Sequence, residues 1–397
     1  SVFGDRLPAW HPDGDRLAFV RGATLADHTV SLRPVEGQVM LLQDGELRAL
    51  TPERWLLLGV AWEDDATLVV AGRRAPGEAT GLWRLALDGT APALLHPAYV
   101  RLFRNVSSAP GHLLYEEWSA TVDLWEVPLV GDAAPRPLLT STRFDHGGRY
   151  SPDGDRIAFV SSRTGSSELW TAQADGSEPI RLTDVGAGLV RSPAWALDGT
   201  HLAYVHTTET AATLYLANAN GTETRALWTT TPPLAMPSFT RDGRALLVGT
   251  ERDGAWDLWH VPLDGTAPTP LGIPGGHVGE EDVDGSILLT RYGQPGLWRW
   301  EPDATAAPRQ ISAFPLASDW GHWARTDAGL VVLRPNGPMA RALDLLEPDG
   351  TLVRSVSLGE LAVPSGSLSL GVHPDGTRAL VAVRTGTSSD IVSLQAR

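Results

Sequence analysis

The turn dipeptide Asp-Gly recurs through this chain at a spacing that leaves few folds open. The segments "PAWHPDGDRLAFVRG" (8–22), "GRYSPDGDRIAFVSS" (148–162), "PAWALDGTHLAYVHT" (193–207), "PSFTRDGRALLVGTE" (237–251) and "LGVHPDGTRALVAVR" (370–384) align on it. Each reads as a small or aromatic strand, an Asp-Gly turn and an alternating apolar strand. The pair suits a two-residue hairpin, because a tight primed turn needs positive φ at both central positions. The anchors Asp153, Asp198, Asp242 and Asp284 lie 45, 44 and 42 residues apart, the length of a four-stranded propeller blade.

A second series interleaves with the first: Asp44, Asp88, Asp175, Asn220, Asp264 and Asp349, each followed by glycine. Before it stands a Leu-Trp-like step at Leu82-Trp83, Leu124-Trp125, Leu169-Trp170, Leu214-Tyr215, Leu258-Trp259 and Leu297-Trp298. Two hairpins per period describe strands a-b and c-d of one antiparallel sheet. An aromatic ring buries roughly 150–250 Å², so one ring per unit in constant register reads as packing between sheets, not as a sugar-stacking ladder.

The predicted fold is all-β: a single β-propeller of four-stranded antiparallel blades over 1–397. Nine units start near residues 8, 57, 99, 146, 191, 235, 277, 320 and 366, with eight blades as the alternative count. The last unit stops after its third strand, and the fourth strand that would close the ring aligns with positions before Ser1. No Pro/Gly/Ser-rich linker interrupts the period, so a second domain is not expected.

Composition narrows the function. A formal charge of −15 opposes nucleic-acid binding by this segment, since that affinity rests on cations releasing counterions from phosphate. No window of about 18 apolar residues occurs, so no membrane insertion by this segment is expected, and "SVFGDRLPAWHPDG" lacks the regions of a signal peptide. Together these describe a mature or excised soluble piece. Cysteine is absent, which removes disulfides, thiolate nucleophiles and cysteine-ligated zinc. All 32 Lys/Arg side chains are arginine, which removes lysine Schiff bases and phosphate clamps. The eleven histidines show no zinc spacing, and no cofactor is expected. His11 and His373 precede Pro-Asp-Gly as turn residues, and Asp13, Asp153 and Asp375 recur in register as acceptors of local backbone hydrogen bonds.

The unit spelled by residues 143–184 resembles TolB-like propeller repeats nearly throughout, and the resemblance covers most of the chain. The order of the later units, "GLWRWEPDATAAPRQISAFPLASDWGHWARTDAGLVVLR", "LDLLEPDGTLVRSVSLG" and "LSLGVHPDGTRALVAVRTGTSSDIVSLQ", is similar to the C-terminal sensor half of CadC-like winged-helix regulators over roughly residues 140–397. That resemblance implies a sensor propeller with a DNA-binding domain upstream and a periplasmic or extracytoplasmic location, with the cytoplasm as the alternative. Neither the winged helix nor its anchoring helix occurs in this sequence. Prolyl-oligopeptidase relatives carry related repeats beside a hydrolase domain. Their Gly-x-Ser-x-Gly elbow is absent here; "GSSEL" (165–169) and "GSLSL" (366–370) lack the second glycine.

Sites break repeats, and the repeat breaks just before strand a at "FDHGG" (144–148), "GGHVGEED" (275–282) and "SDWGHW" (318–323). These bring Asp145, His146, His277, Glu280, Glu281, Asp319, Trp320, His322 and Trp323 towards one mouth of the axial channel. Convergent polar groups beside aromatic walls suit a protein, a peptide or a small ligand. The expected function is non-catalytic binding or sensing. The alternatives are a propeller-type lyase or glycosidase, or the gating propeller of a peptidase.

Overall fold

The computed structural model describes residues 3–24, 35–51, 55–74, 80–98, 102–109, 112–208, 210–231, 233–302, 307–315, 321–336, 339–364 and 370–395. Among these residues every regular element is a strand. The all-β expectation holds. The chain divides into two compact units, one of residues 1–120 and 386–397, the other of residues 121–385.

In the first unit, β1 (Phe3–Trp10), β2 (Arg16–Thr24), β3 (Val35–Gln43) and β4 (Glu46–Ala49) form one antiparallel run. A second run consists of β5 (Trp55–Trp62), β6 (Thr67–Arg73), β7 (Thr80–Ala86) and β8 (Ala93–Ala98), joined to the first where Val35–Gly37 pair with Trp55–Leu57. A third sheet joins β9 (Leu102–Ala109) to the first half of β10 (His112–Pro128). Ala18, Val20, Leu41, Trp55, Leu57, Val60 and Trp83 make the core between the first two runs.

The second unit takes over the end of β10 and pairs it with β11 (Arg136–Leu139). Four sheets of four strands follow. They are β12 (Asp145–Tyr150), β13 (Arg156–Ser161), β14 (Glu168–Gln173) and β15 (Ile180–Arg181); then β16 (Leu189–Trp195), β17 (His201–Thr207), β18 (Ala212–Asn218) and β19 (Thr224–Thr230). Next come β20 (Ser238–Phe239), β21 (Ala245–Arg252), β22 (Ala255–Pro262) and β23 (Thr269–Pro270); then β24 (Gly276–Glu281), β25 (Ile287–Arg291), β26 (Gln294–Trp300) and β27 (Arg309–Ser312). A further sheet holds β28 (Trp323–Thr326), β29 (Gly329–Asn336), β30 (Met339–Leu346) and β31 (Leu352–Ser357), with β32 (Val363–Pro364) beside β30. Finally β33 (Gly371–Val372) pairs with the start of β34 (Arg378–Gln395), which lies next to β10.

That last pairing answers how the second unit closes. Its sixth sheet takes two strands from β33–β34 and two from β10–β11, so the strands that complete it come from residues 121–139. The Arg149 guanidinium donates to the Leu370 carbonyl at 2.8 Å and the Leu370 amide to the Gly321 carbonyl at 3.2 Å, tying the sixth sheet to both neighbours. The expected starts near 8, 57, 146, 191, 235 and 277 lie in or within a few residues of β1, β5, β12, β16, β20 and β24, while those near 99, 320 and 366 lie outside the described residues.

Second strands are buried along almost their whole length, as in β13 and β21, because both faces pack against neighbouring sheets. Outermost strands such as β15, β23 and β31 are exposed. In the Leu-Trp step the leucine is the deeper partner, with Leu82, Leu124, Leu169, Leu214, Leu258 and Leu297 fully buried. The indoles instead carry an arginine from the end of the second strand: Arg74 over Trp83, Arg163 over Trp170, Arg252 over Trp259 and Arg291 over Trp298. A cation over an aromatic face is attracted by the ring quadrupole, so each indole is packed on one side and capped on the other.

The turns differ from the primed geometry expected of Asp-Gly. Positive φ at both residues occurs at Asp44-Gly45 and Asp253-Gly254, where the loop is two residues long. At Asp153, Asp198, Asp242, Asp284 and Asp375 only the glycine has positive φ. The loop there is longer: the Gly154 amide donates back to the Ser151 carbonyl, and the Ser151 amide donates to the Arg156 carbonyl. The aspartate accepts the amide two residues on, as Asp153 does from Asp155 at 3.1 Å, so its expected role in the turn is borne out. Cross-links join successive turns, with Arg156 donating to the Gly199 carbonyl at 2.9 Å and Arg299 to the Pro348 carbonyl at 3.2 Å. His373 does the same through Nε2 to the Gly154 carbonyl at 3.2 Å, edge-on to Tyr150.

Candidate functional site

Within the second unit the first strands of neighbouring sheets approach one another, β12 on β16, β16 on β20, β20 on β24, β28 on β33 and β33 on β12. They therefore surround its axis. Crowding selects glycine there: a Cβ on Gly371 would sit 2.3 Å from the Gly148 carbonyl oxygen. Indole and hydroxyl donors stitch adjacent first strands, Trp195 Nε1 to the Arg149 carbonyl at 3.0 Å and the Ser238 hydroxyl to the Gly279 carbonyl at 2.5 Å.

Half-buried charged side chains on this inner layer include Arg149 on β12, Arg191 on β16, Glu280 on β24 and Arg325 on β28. Arg191 donates to the Thr207 hydroxyl at 2.9 Å. Arg325 lies 3.9 Å from Asp282, which Arg299 also holds at 2.9 Å. Arg149, Glu280 and Arg325 are electrostatically coupled. Burial raises the Glu280 carboxyl above the usual range, opposed by the charges of Arg149 and Arg325 and reinforced by Asp282. Burial lowers the Arg149 guanidinium, and Glu280 pulls it back up. His146, also on β12, is brought down to about 4 by burial and by the Arg191 charge, so its imidazole is neutral at neutral pH.

The structure sorts the nine residues singled out by the sequence. His146 and Glu280 belong to the inner layer. Asp145 is fully buried, with Arg163 Nη2 3.2 Å from its carboxylate. His277 is buried edge-on to Trp256 at 4.4 Å and beside Tyr292, and burial lowers it to about 3. Glu281 accepts the Arg241 amide at 2.8 Å and so ties two sheets together. His322 is buried and its carbonyl accepts the Leu333 amide at 2.9 Å. Trp323, 1% exposed, packs in a core cluster with Val278, Leu297 and Val332, so it is core and not a wall of the mouth. Asp319 and Trp320 lie outside the described residues.

Arg149, Arg191 and Arg325 are missing from that set because the visible breaks mark the starts of first strands and the stretches before them, whereas these three stand where the repeat's spacing is intact. The signal was present: "GGRY", "LVRSPAW" and "HWART" each place a guanidinium inside an otherwise small or apolar first strand. A charge there costs desolvation unless something answers it. Three cations and one carboxylate around a common axis can hold carboxylates and peptide carbonyls, with Glu280 available to a donor.

Residues 123–281 match the family model of the TolB beta propeller domain. The TolB-like β-propeller family is supported over this stretch, which runs from the end of β10 to the end of β24. A TolB homolog of Chlorobaculum tepidum is 29% identical over 129 residues, 32% of this chain and 29% of that protein. Tricorn protease homolog 1 of Streptomyces coelicolor is 34% identical over 107 residues, 27% of this chain and 9% of that protein. The matches thus span under a third of each relative. Among solved structures, a TolB of Agrobacterium tumefaciens aligns with a TM-score of 0.53 at 18% identity, covering 68% of this chain and 99% of that one. That likeness speaks for the propeller fold.

Proposed function

We propose that residues 1–397 form a TolB-like repeat module whose second unit is a non-catalytic propeller that binds a protein or peptide at its axis. The observation that carries this reading is the inner layer of Arg149, Arg191, Arg325 and Glu280, charged groups held half-buried where the fold needs only small residues. Buried charge is retained at a cost to stability, and recognition of a peptide's polar groups accounts for it. The TolB match over 123–281 supports protein binding as the class. The order of units over 140–397 supports a finer reading, the sensory part of a bacterial regulator in an extracytoplasmic compartment. The test is fluorescence anisotropy with labelled hexapeptides graded from net −3 to net +3. Saturable binding of acidic peptides, weakened at least about tenfold by Arg149→Ala and by Arg325→Ala, is expected. Binding insensitive to both, or absent for every charge class, overturns the reading.

A second reading has one observation behind it, the stretch shared with a tricorn protease homolog. In that reading the propeller gates access to a peptidase carried elsewhere. Peptide hydrolysis that co-purifies with a longer natural form, and falls when Arg149 is replaced, would favour it.

A further inference from the structure

The first unit holds a feature that the axial reading does not use. The other sheets each have a short outermost strand beyond the third: β4, β8, β11, β15, β19, β23, β27 and β31. The sheet of β9, the first half of β10 and the last part of β34 has three strands among the described residues, and β34 is its edge. The His112 ring lies 3.1 Å from the Ser393 hydroxyl, which places the far end of β34 beside the start of β10.

This edge carries little of what usually protects one. Proteins blunt free edges with lysine, proline, bulges or brevity, whereas Gly386–Gln395 reads "GTSSDIVSLQ" with one charge, Asp390. Val392 and Leu394 pack inward against the cluster of Leu58, Val69, Leu82 and Leu113, while Ile391 is 81% exposed. At the end of this strand lies a cavity of about 350 Å³. Its apolar lining is Leu95, Leu113 and Leu394, and its rim holds His96 and the Glu63–Arg84 ion pair.

The chemistry of the occupant can be read from the fourth strands elsewhere. β11 reads "RPLL", β19 "TRALWTT", β27 "RQIS" and β31 "LVRSVS", an arginine with apolar residues near it. In β11 that arginine, Arg136, pairs with Glu126 on the neighbouring strand at 2.9 Å. On β34 the acid at hand is Asp390, exposed and without an ion pair among the described residues.

We propose that the outer edge of β34, over Gly386–Gln395, accepts an extended, arginine-bearing amphipathic segment of a partner protein as the fourth strand of this sheet. Main-chain hydrogen bonds supply the attachment, Asp390 takes the guanidinium, and an apolar side chain fills the cavity against Leu95, Leu113 and Leu394. This is strand addition, in which backbone pairing gives affinity and alternate side chains give specificity.

The probe is a labelled synthetic peptide of sequence TETRALWTT, residues 222–230, which is the chain's own β19 strand with the two residues before it, with a control in which its arginine is glutamate. Expected results are saturable binding, at least about tenfold weaker for the control and for Asp390→Arg, and amide exchange over 386–395 slowed at least about tenfold by the peptide. Asp390 is exposed, so folding of the variant is checked independently by circular dichroism. Absence of binding overturns the proposal, as does binding that leaves exchange over 386–395 unchanged. Protection of 386–395 that appears on concentrating the protein alone also overturns it, because the occupant is then a second copy of the chain.

Discussion

The Thr385 hydroxyl donates to Asp123 Oδ2 at 2.6 Å across 262 residues of chain. Asp123 is buried and also accepts the Ser141 amide at 3.0 Å. One carboxylate thus fixes the last strand of the second unit and the loop leading to its first complete sheet. A hydrogen bond to a charged group contributes about 1.5–3 kcal/mol. Thr385→Val should lower stability by about 1–2 kcal/mol, since Asp123 keeps its other donor, and Asp123→Ala should cost more. Urea midpoints of the two variants check the order, and equal midpoints would remove the closure role.

Glu168 shows the same device inside one sheet. It is fully buried, yet it accepts the Thr183 hydroxyl at 2.6 Å, the Ser166 hydroxyl at 2.7 Å and the Val185 amide at 3.1 Å. Removing the acceptor leaves several buried donors without a partner, and each orphan costs about 1–3 kcal/mol. Glu168→Ala should therefore destabilise by about 3–5 kcal/mol, while Glu168→Gln, which keeps one acceptor oxygen, should lose about half as much. Thermal unfolding distinguishes the two.

Much of this was legible in the sequence, for a reason these residues make plain. Asp153-Gly154 and Leu169-Trp170 recur because every sheet repeats one local problem, a turn to close and a face to cover, and a repeated solution leaves a period. Closure was not legible, because the Thr385–Asp123 contact joins distant positions that no period marks. The inner layer was half legible. His146 and Glu280 sit where the repeat visibly breaks, whereas Arg149, Arg191 and Arg325 hide within strands whose spacing is intact, and only their charge in a crowded strand betrays them.

Two glycines separate crowding from backbone strain. A Cβ on Gly249 would lie within contact distance of the His277 backbone, with the nearest atom, its carbonyl oxygen, at 1.9 Å. Overpacking of this kind costs about 1–3 kcal/mol or more. Gly243 has nothing within 4 Å but a φ of +68°, so its alanine variant meets the left-handed penalty of about 1–2 kcal/mol. Gly249→Ala should be the more destabilising of the two. Gly243→Asn should recover part of the loss, because asparagine tolerates that region, whereas Gly249→Asn should not.

Acid sensitivity follows from two imidazoles. In the unfolded chain both titrate near pH 6.5, whereas in the folded protein burial brings His146 to about 4, helped by Arg191, and His277 to about 3. As pH falls below about 6.5 the unfolded state binds protons that the folded state refuses. Their contribution is thus fully present above that pH and is lost progressively as pH falls towards the folded values. A tenfold difference in proton affinity between the two states corresponds to about 1.4 kcal/mol, so each ring withdraws up to about 2–3 kcal/mol between pH 7.5 and 4.5. Asp375 adds a later loss: burial would raise it, but hydrogen bonds from Thr377 and His373 outweigh that and hold it at about 2, so its share disappears below about pH 4. Urea midpoints at pH 7.5 and 4.5 should differ clearly for the wild-type chain and less for His146→Gln and for His277→Gln. A pH dependence unchanged in both variants would place the acid lability elsewhere and show that these rings accept a proton without unfolding the sheets around them.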